Sequence, residues 1–190
     1  MGHPAFPAPR VTSTGTGEKQ SGRCDDLPRP VTILWMTTPI GPEARRPNRA
    51  LERLAPLLGD WRTTGTHPSV PGTTFHGRTS FARHEGGAFV LVRSEIEEPE
   101  IPSGVAVIGS DDAAGTFTML YFDERNVSRR YTVEVGDGVV WWHRDEAGFA
   151  QRMVLSVASD GSRLDAKGTM SHDGGPWKDD LQLTYERIDS

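Results

Sequence analysis

Beyond Gly59 the sequence alternates apolar and polar residues with a period of two, and Gly, Asp and Asn interrupt this alternation at short intervals. A period of two is typical of β-strands that bury one face, and short Gly-rich breaks are typical of hairpin turns. The pattern predicts about ten strands. They are expected near residues 60–67, 73–84, 88–97, 105–110, 116–123, 128–135, 139–145, 149–158, 163–171 and 180–188.

The short connections between these strands favour a meander of antiparallel hairpins. A twisted sheet of about ten strands usually closes on itself or splits, because two long open edges would be left otherwise. The sequence therefore predicts an all-β fold, an antiparallel up-and-down barrel of about ten strands. An immunoglobulin-like sandwich is the alternative, and it is disfavoured because the connections are too short for Greek-key crossovers.

A short run before the first strand has the spacing of an amphipathic helix. Asn48 is a residue type that often caps helix N-termini, and Gly59 ends the run. Leucines follow the cap at helical spacing, at positions Leu51, Leu54, Leu57 and Leu58. The pattern predicts one short helix of about ten residues that packs as a lid or plug on one end of the barrel.

Residues 1–46 differ in composition from the rest of the chain. Prolines separated by Gly, Ser and Thr leave little apolar surface to offset the entropy of ordering, so this segment is predicted to be a disordered tail and residues 47–190 the barrel domain. Met36 is a hypothetical translation start. The N-terminus lacks the pattern of a signal peptide, and the apolar run 31–36 is too short to span a bilayer. A cytoplasmic location is therefore expected.

Charge and cysteine content exclude several classes of partner. The chain has 26 acidic and 21 basic residues, a net charge of −5, with both signs scattered along it. Without a basic face, neither nucleic acid nor a membrane is an expected partner. Cys24 is the single cysteine, so no intrachain disulfide and no Cys-based metal site is expected. A monomer or homodimer that binds a small hydrophobic or amphipathic molecule is predicted.

Signatures of metal sites and of common catalytic sites are missing from the sequence. The histidines in predicted strands have no close spacing of the kind that metal ligands show, at positions His67, His76, His84 and His143. There is also no GxSxG elbow and no Gly-rich phosphate loop. No metal site and no established catalytic motif is predicted.

Polar residues on otherwise apolar strand faces are the candidate binding residues, because residues two apart share a face. Arg93 and Glu95, for example, alternate with apolar residues on the third strand. The predicted ligand-binding set is Trp61, Arg93, Glu95, Tyr121, Arg129, Tyr131, Trp141, His143 and Gln151. A position at the wet rim, with structural ion pairs, is the alternative for the polar members. A bulge of one residue would exchange the facing of Trp141 and Trp142.

The stretch Gly-Asp-Trp-Arg-Thr-Thr-Gly, with a helix before it and hairpin-linked strands after it, resembles the nitrobindin-like and related lipocalin-like bacterial proteins of the calycin type. The family pattern is Gly-x-Trp-x-Gly-x-Gly. Gly59, Trp61 and Gly65 match it, and Thr63 replaces the middle glycine. The likeness covers about residues 51–188 and implies a ligand-binding barrel.

Two later segments, YFDERNVSRRY and SHDGGPWKDDLQLTYERI, look like those of uncharacterised actinobacterial members of this lipocalin-like group, which have no established activity to transfer. Nitrobindins bind haem b through a histidine in the last strand, so the resemblance would imply haem if that ligand were present. The closing strand has no histidine. Asp180 occupies the position where the histidine is expected, and His172 lies across the preceding turn. Tyr185 is the residue that could substitute as axial ligand. No cofactor is therefore expected.

Three functional hypotheses follow. The first is a non-enzymatic, intracellular barrel that encloses an apolar ligand with a polar end. The second is haem-dependent chemistry on NO or peroxide, as in nitrobindins, which the missing histidine disfavours. The third is a small-molecule enzyme that uses His143 with Glu95 or Tyr121 as acid and base, and it requires these groups to meet in one cavity.

Overall fold

The computed structural model describes residues 47–111 and 116–188, apart from the side chains of Glu85 and Asp111, and it confirms the predicted barrel. The predictions of a disordered tail over 1–46 and of a translation start at Met36 lie outside the described residues. Ten strands follow a short helix, the plug helix (Arg49–Leu57), and one 3₁₀ turn (Glu85–Gly87) lies between the second and third strands. The strands are β1 (Gly59–Thr66), β2 (Thr74–His84), β3 (Phe89–Ile96), β4 (Gly104–Asp111), β5 (Thr116–Asp123), β6 (Ser128–Val135), β7 (Val139–Glu146), β8 (Phe149–Val157), β9 (Arg163–His172) and β10 (Lys178–Arg187).

The strands form one closed antiparallel ring. Each strand pairs with its neighbours along the chain, and β1 pairs with β10 to close the barrel. In that closing pair Trp61 lies opposite Arg187 and Thr66 lies opposite Gln182. The sandwich alternative is therefore wrong. None of the helices within the described ranges has the length and apolar character that a bilayer crossing requires.

The plug helix has the three-residue repeat of a 3₁₀ helix, which agrees with the leucine spacing. Leu51, Leu54 and Leu57 are three residues apart and all are buried, because side chains at this spacing stack on one side of a helix with three residues per turn. The Asn48 side chain accepts a hydrogen bond from the Ala50 amide at 3.0 Å and donates to the Ser110 hydroxyl. The helix is thus capped at its start and anchored to β4.

The plug helix closes one end of the barrel, as predicted. The Trp61 indole donates to the Leu57 carbonyl at 2.9 Å, and the Arg187 guanidinium lies 4.1 Å from the Trp61 ring centre. Arg187 also donates to the Leu58 carbonyl at 2.9 Å, and Arg53 donates to the Val135 carbonyl on the opposite side of the ring. We call this the closed end and the opposite end the mouth.

The inner face near the closed end is a packed apolar core. Strand register and burial agree on its members, which come from every strand. They are Trp61, Phe81, Val90, Ile108, Phe117, Val133, Val140, Leu155, Leu164 and Tyr185. The core therefore fills the half of the barrel next to the plug helix.

One irregularity interrupts the ladder near the mouth. The register between β9 and β10 shifts between Asp179 and Gln182, so Asp180 and Leu181 together face Gly168. A Cβ atom on Gly168 would lie 3.0 Å from the Leu181 carbonyl oxygen, so the strands approach closely at this bulge. Asp180, within the bulge, is buried.

Candidate ligand site at the barrel mouth

The inner face changes towards the mouth, where several side chains are polar and half-buried, although the apolar Phe75 is buried there. Tyr121, Arg129 and Gln151 are partly exposed although they point inward, and Tyr131 is buried between them and the core. Tyr121 lies directly opposite Arg129 in the β5–β6 pair. These four residues were assigned to the interior from the sequence, and the structure brings them to one end of the barrel.

The interior assignment of two residues on β3 is wrong. Val92 pairs with the buried Phe81 and Ala106, so Val90 and Val92 occupy the inner face. Arg93 and Glu95 consequently lie on the outer surface, with about two thirds of each side chain exposed, and line an outer groove of about 570 Å³. They do not share the mouth with the other candidates.

The facing of β7 is also the reverse of the prediction. Trp142 packs against the core and is paired with Val133 and Met153, whereas Trp141 and His143 lie on the outer face. His143 contacts two outer carboxylates, Glu134 at 3.2 Å and Asp145 at 3.3 Å. Because His143 and Glu95 are outside the barrel and Tyr121 is inside, the proposed acid and base do not meet in one cavity.

Trp61 faces inward as predicted, but its place is the closed end. Its side chain has no exposed surface, since Leu57 and Arg187 cover it. A ligand at the mouth cannot touch it in this arrangement. Trp61 therefore supports the barrel rather than the candidate site.

A chain of hydrogen bonds crosses the interior of the mouth. Tyr131 donates to the Gln151 side-chain oxygen at 2.5 Å, and the Gln151 amide donates to the Asp180 carboxylate at 2.5 Å. His67 Nε2 lies 3.0 Å from the other Asp180 oxygen. We call these four residues the mouth chain.

The contacts of His67 indicate which tautomer its neutral ring adopts. The Ser69 amide donates to His67 Nδ1 at 3.0 Å, so the proton of the neutral ring is on Nε2, which donates to Asp180. Asp180 thus accepts two hydrogen bonds, one from His67 and one from Gln151. Each oxygen of the buried Asp180 side chain therefore has a hydrogen-bond partner, as buried polar atoms usually do.

Two arginines flank the mouth chain. The Arg129 guanidinium lies 3.9 Å from the Phe149 ring centre, and Arg144 Nε donates to the Phe149 carbonyl at 3.0 Å. Burial raises the pKa of Tyr131. The nearby Arg129 and Arg144 partly offset this rise, whereas Asp180 adds to it. Both cations therefore act on the same phenol.

A second cluster lies beside the first on β5. Tyr121 donates to the Asp123 carboxylate at 3.0 Å, and Arg125 contacts the same carboxylate at 2.6 Å. Burial raises the pKa of Tyr121, and Asp123 adds to the rise. Burial alone would raise the pKa of Asp123, but hydrogen bonds from Arg125 and Tyr121 outweigh it and hold the pKa below its usual range.

Sequence reasoning missed three residues of the mouth. Arg144 was missed because β7 was assigned the wrong face, and Asp180 because a bulge cannot be read from alternation. His67 was judged only as a metal ligand, whereas its partner is Asp180. The strongest signal available was the placement of an aspartate at the position where haem proteins of similar pattern carry histidine.

Three side chains of the barrel could in principle bind haem iron, and they differ in availability: His172 is exposed, with its ring centre 5.1 Å from that of Phe149, whereas His67 is engaged and Tyr185 is buried. His67 has both ring nitrogens engaged, with Ser69 and with Asp180, so neither is available to bind iron. Tyr185 is buried within the core at the closed end, and burial raises its pKa, which disfavours the phenolate that binds iron. Over residues 47–111 and 116–188, no group of three or more His, Cys, Asp or Glu side chains could hold a metal ion.

Comparisons with known proteins identify similar folds. No protein-family model matches the chain, and no curated protein matches its sequence. The structure is similar to that of Rv2717c from M. tuberculosis, with a TM-score of 0.57 and 19% identity over 76% of this chain and 100% of that chain. It is also similar to a protein of unknown function of the DUF3598 family from Nostoc punctiforme PCC 73102, with a TM-score of 0.50 and 13% identity over 79% of this chain and 53% of that chain. The chain therefore spans about half the length of the Nostoc protein, and these likenesses show the barrel fold alone.

Proposed function

We propose that the barrel binds a small amphipathic molecule at its mouth, with the apolar body of the ligand inside and its polar end against the mouth chain. The observation that carries this proposal is the contrast between the two halves of the inner face. The closed half is a buried apolar core, whereas the mouth half mixes polar and apolar side chains, several of which are half-buried, around the buried Phe75, Tyr131 and Asp180. Inward side chains that solvent can reach are typical of a ligand pocket in a barrel.

Apolar side chains at the mouth supply the contact for the body of the ligand. Ile96, Trp142, Phe149 and Met170 point inward and are only half-buried. Covering this surface would stabilise a complex by about 25 cal/mol for each Å² removed from water. The revised contact set replaces Trp141 with Trp142.

Polar groups of the mouth are held in place before a ligand arrives. Tyr131, Gln151 and Asp180 bond to one another across three strands, so little side-chain freedom remains to be lost on binding. Such fixed groups orient the polar end of a ligand.

A non-enzymatic carrier or sensor in the cytoplasm is the role we propose for this site. Relationship to the nitrobindin-like group is part of the proposal, and its support is the match at Gly59, Trp61 and Gly65 together with the closed barrel. Haem is not the proposed ligand, because β10 carries no histidine and both ring nitrogens of His67 are engaged.

The proposal is tested by denaturing extraction of protein purified from its native host, followed by mass spectrometry of the small molecules released. We expect one class of amphipathic molecule in stoichiometric amount. Protein that is folded and free of any small molecule, and that binds none from a host-cell extract, would contradict the proposal.

Two matched variants locate the binding. Ser94 points inward at the mouth and contacts Thr79, whereas Ser156 is exposed on the outer face of β8. We expect Ser94→Trp to block the mouth and abolish recovery of the molecule, and Ser156→Trp to leave recovery unchanged. Thermal unfolding of both variants confirms that the barrel is intact.

A further inference from the structure

The two arginines at the mouth have no carboxylate partner among the described residues. Arg129 contacts the Phe149 ring and Arg144 contacts the Phe149 carbonyl, but neither forms an ion pair within residues 47–111 and 116–188. Arg83, Arg125 and Arg163 are each paired with an acid. Arg53 and Arg187, at the closed end, have no such ion pair in the described part of the chain and also contact a ring and a backbone carbonyl, but they lie away from the mouth. A half-buried guanidinium without an anion leaves donors free for one.

Both arginines act at the same place. Arg129 contacts the Phe149 ring and Arg144 donates to the Phe149 backbone carbonyl, so both side chains reach the start of β8. Each also offsets the rise in the pKa of Tyr131. Arg144 lies directly opposite Gln151 in the β7–β8 pair. Both arginines therefore lie next to members of the mouth chain.

The charge of this region favours an anion with a single charge. Arg129 and Arg144 contribute two positive charges and Asp180 one negative charge, which leaves +1, while Asp123 and Arg125 neutralise each other. Lys178 and Glu146, at the mouth ends of β10 and β7, are both exposed and opposite in charge, so they leave this sum unchanged. A monoanion would balance the pocket, whereas a dianion would leave it with excess negative charge next to a buried carboxylate.

We infer that the ligand of the mouth is an amphipathic monocarboxylate whose carboxylate is bound by Arg129 and Arg144 and whose apolar body lies against Phe149 and Trp142. The inference rests on the proposed function and specifies its ligand class. Guanidinium groups match the planar carboxylate with paired hydrogen bonds, and such charge-assisted bonds are about twice as strong as neutral ones. The Tyr131 hydroxyl stands beside the same position.

The test uses isothermal titration calorimetry with matched acids and alcohols. The probes are octanoate, dodecanoate, hexadecanoate and naphthylacetate, each compared with the alcohol of the same carbon skeleton, and dodecyl phosphate as the dianion. We expect at least one acid to bind about tenfold or more tightly than its alcohol, which corresponds to about 1.4 kcal/mol. Dodecyl phosphate should bind more weakly than dodecanoate.

Substitutions of the two arginines test whether they cause the preference for the acid over the alcohol. Arg129→Gln and Arg144→Gln should each weaken the acid about tenfold and leave the alcohol unchanged, because only the acid uses the guanidinium groups. Arg130→Gln is the matched control, since Arg130 follows Arg129 on β6 and is exposed on the outer face. Arg129→Lys keeps the positive charge but lacks the planar guanidinium group with its paired donors. This variant tests binding if Arg129→Gln fails to fold.

The outcomes separate this inference from the function on which it rests. Equal binding of acid and alcohol, or equal loss of both in Arg129→Gln and Arg144→Gln, overturns the monocarboxylate and leaves a ligand-binding mouth. Tighter binding of the phosphate overturns it in favour of a dianion. Binding of no acid also overturns it, and denaturing extraction then decides independently whether the mouth binds any small molecule.

Discussion

Gln151 on β8 donates its side-chain amide to the carboxylate of Asp180 on β10 at 2.5 Å, across the interior and past the intervening strand β9. The two residues are 29 positions apart in the chain. This contact ties the bulge of β10 to the inner face of the mouth. It also makes Asp180 a residue on which both the barrel and the candidate site depend.

Replacing Asp180 with alanine should destabilise the barrel. The change leaves the Gln151 amide and His67 Nε2 without their acceptor, and an unsatisfied buried donor lowers the free energy of unfolding by about 2 kcal/mol. Urea denaturation measures the loss. Asp179→Ala is the control, because the Asp179 side chain is 65% exposed, and it should change stability by less than about 0.5 kcal/mol. Equal losses in the two variants would refute the role of Asp180.

Replacing Trp61 with phenylalanine should weaken the closed end. The smaller ring cannot donate to the Leu57 carbonyl and contacts Arg187 less, so we expect the free energy of unfolding to fall by about 2 kcal/mol. Guanidinium denaturation followed by circular dichroism tests this. Trp177→Phe, at a side chain with 40% exposure, should stay within about 0.5 kcal/mol of wild type. A Trp61 variant as stable as the Trp177 variant would show that the indole contact is dispensable.

All three tyrosines of the chain should resist ionisation in the folded barrel. Burial raises the pKa of Tyr121, Tyr131 and Tyr185. Between the unfolded value of about 10 and the higher folded values, the folded state holds protons that the unfolded state releases. The free energy of unfolding is therefore fully retained below about pH 10 and falls as the pH rises through the folded pKa values.

An alkaline titration followed by the ultraviolet absorbance of tyrosinate measures this effect directly. The native protein should ionise at higher pH than the same chain in concentrated guanidinium chloride. Coincident native and denatured curves would mean that the tyrosines are exposed to solvent, contrary to their burial.

Replacing Asn48 with alanine should loosen the plug helix. The variant loses the hydrogen bond from the Ala50 amide and the contact with the Ser110 hydroxyl, and a lost N-cap lowers the free energy of unfolding by about 1 kcal/mol. Thermal denaturation compares it with Arg49→Ala, a neighbouring change at an exposed position. If Arg49→Ala is as harmful as Asn48→Ala, capping is not the cause.

The strand order was predictable because alternation and turn residues act locally. The hairpin of β6 and β7, for example, was expected over 128–135 and 139–145 and is found at Ser128–Val135 and Val139–Glu146. Strand facing was predictable only where one face is polar. On β6 the apolar residues occupy a single face, so Tyr131 was assigned correctly.

The prediction of which side chains point inward failed on strands whose two faces are both apolar. The run Phe-Val-Leu-Val on β3 and the run Val-Val-Trp-Trp on β7 satisfy alternation equally well in either register. Only the pairing of Val92 with Phe81 and of Trp142 with Val133 decides between them, and these contacts join different strands. The mouth chain was beyond local analysis for the same reason, since His67, Gln151 and Asp180 come from distant parts of the chain.

Ring closure by β1 and β10 makes the order of strands cyclic. The residues that begin and end the barrel, near Trp61 and Arg187, are direct neighbours, so no pairing depends on where the polypeptide starts. A gene rearranged to begin at the β6–β7 turn, with a linker joining the old ends, would encode the same set of neighbours. Strand pairing in this barrel therefore does not require a chain break between β10 and β1.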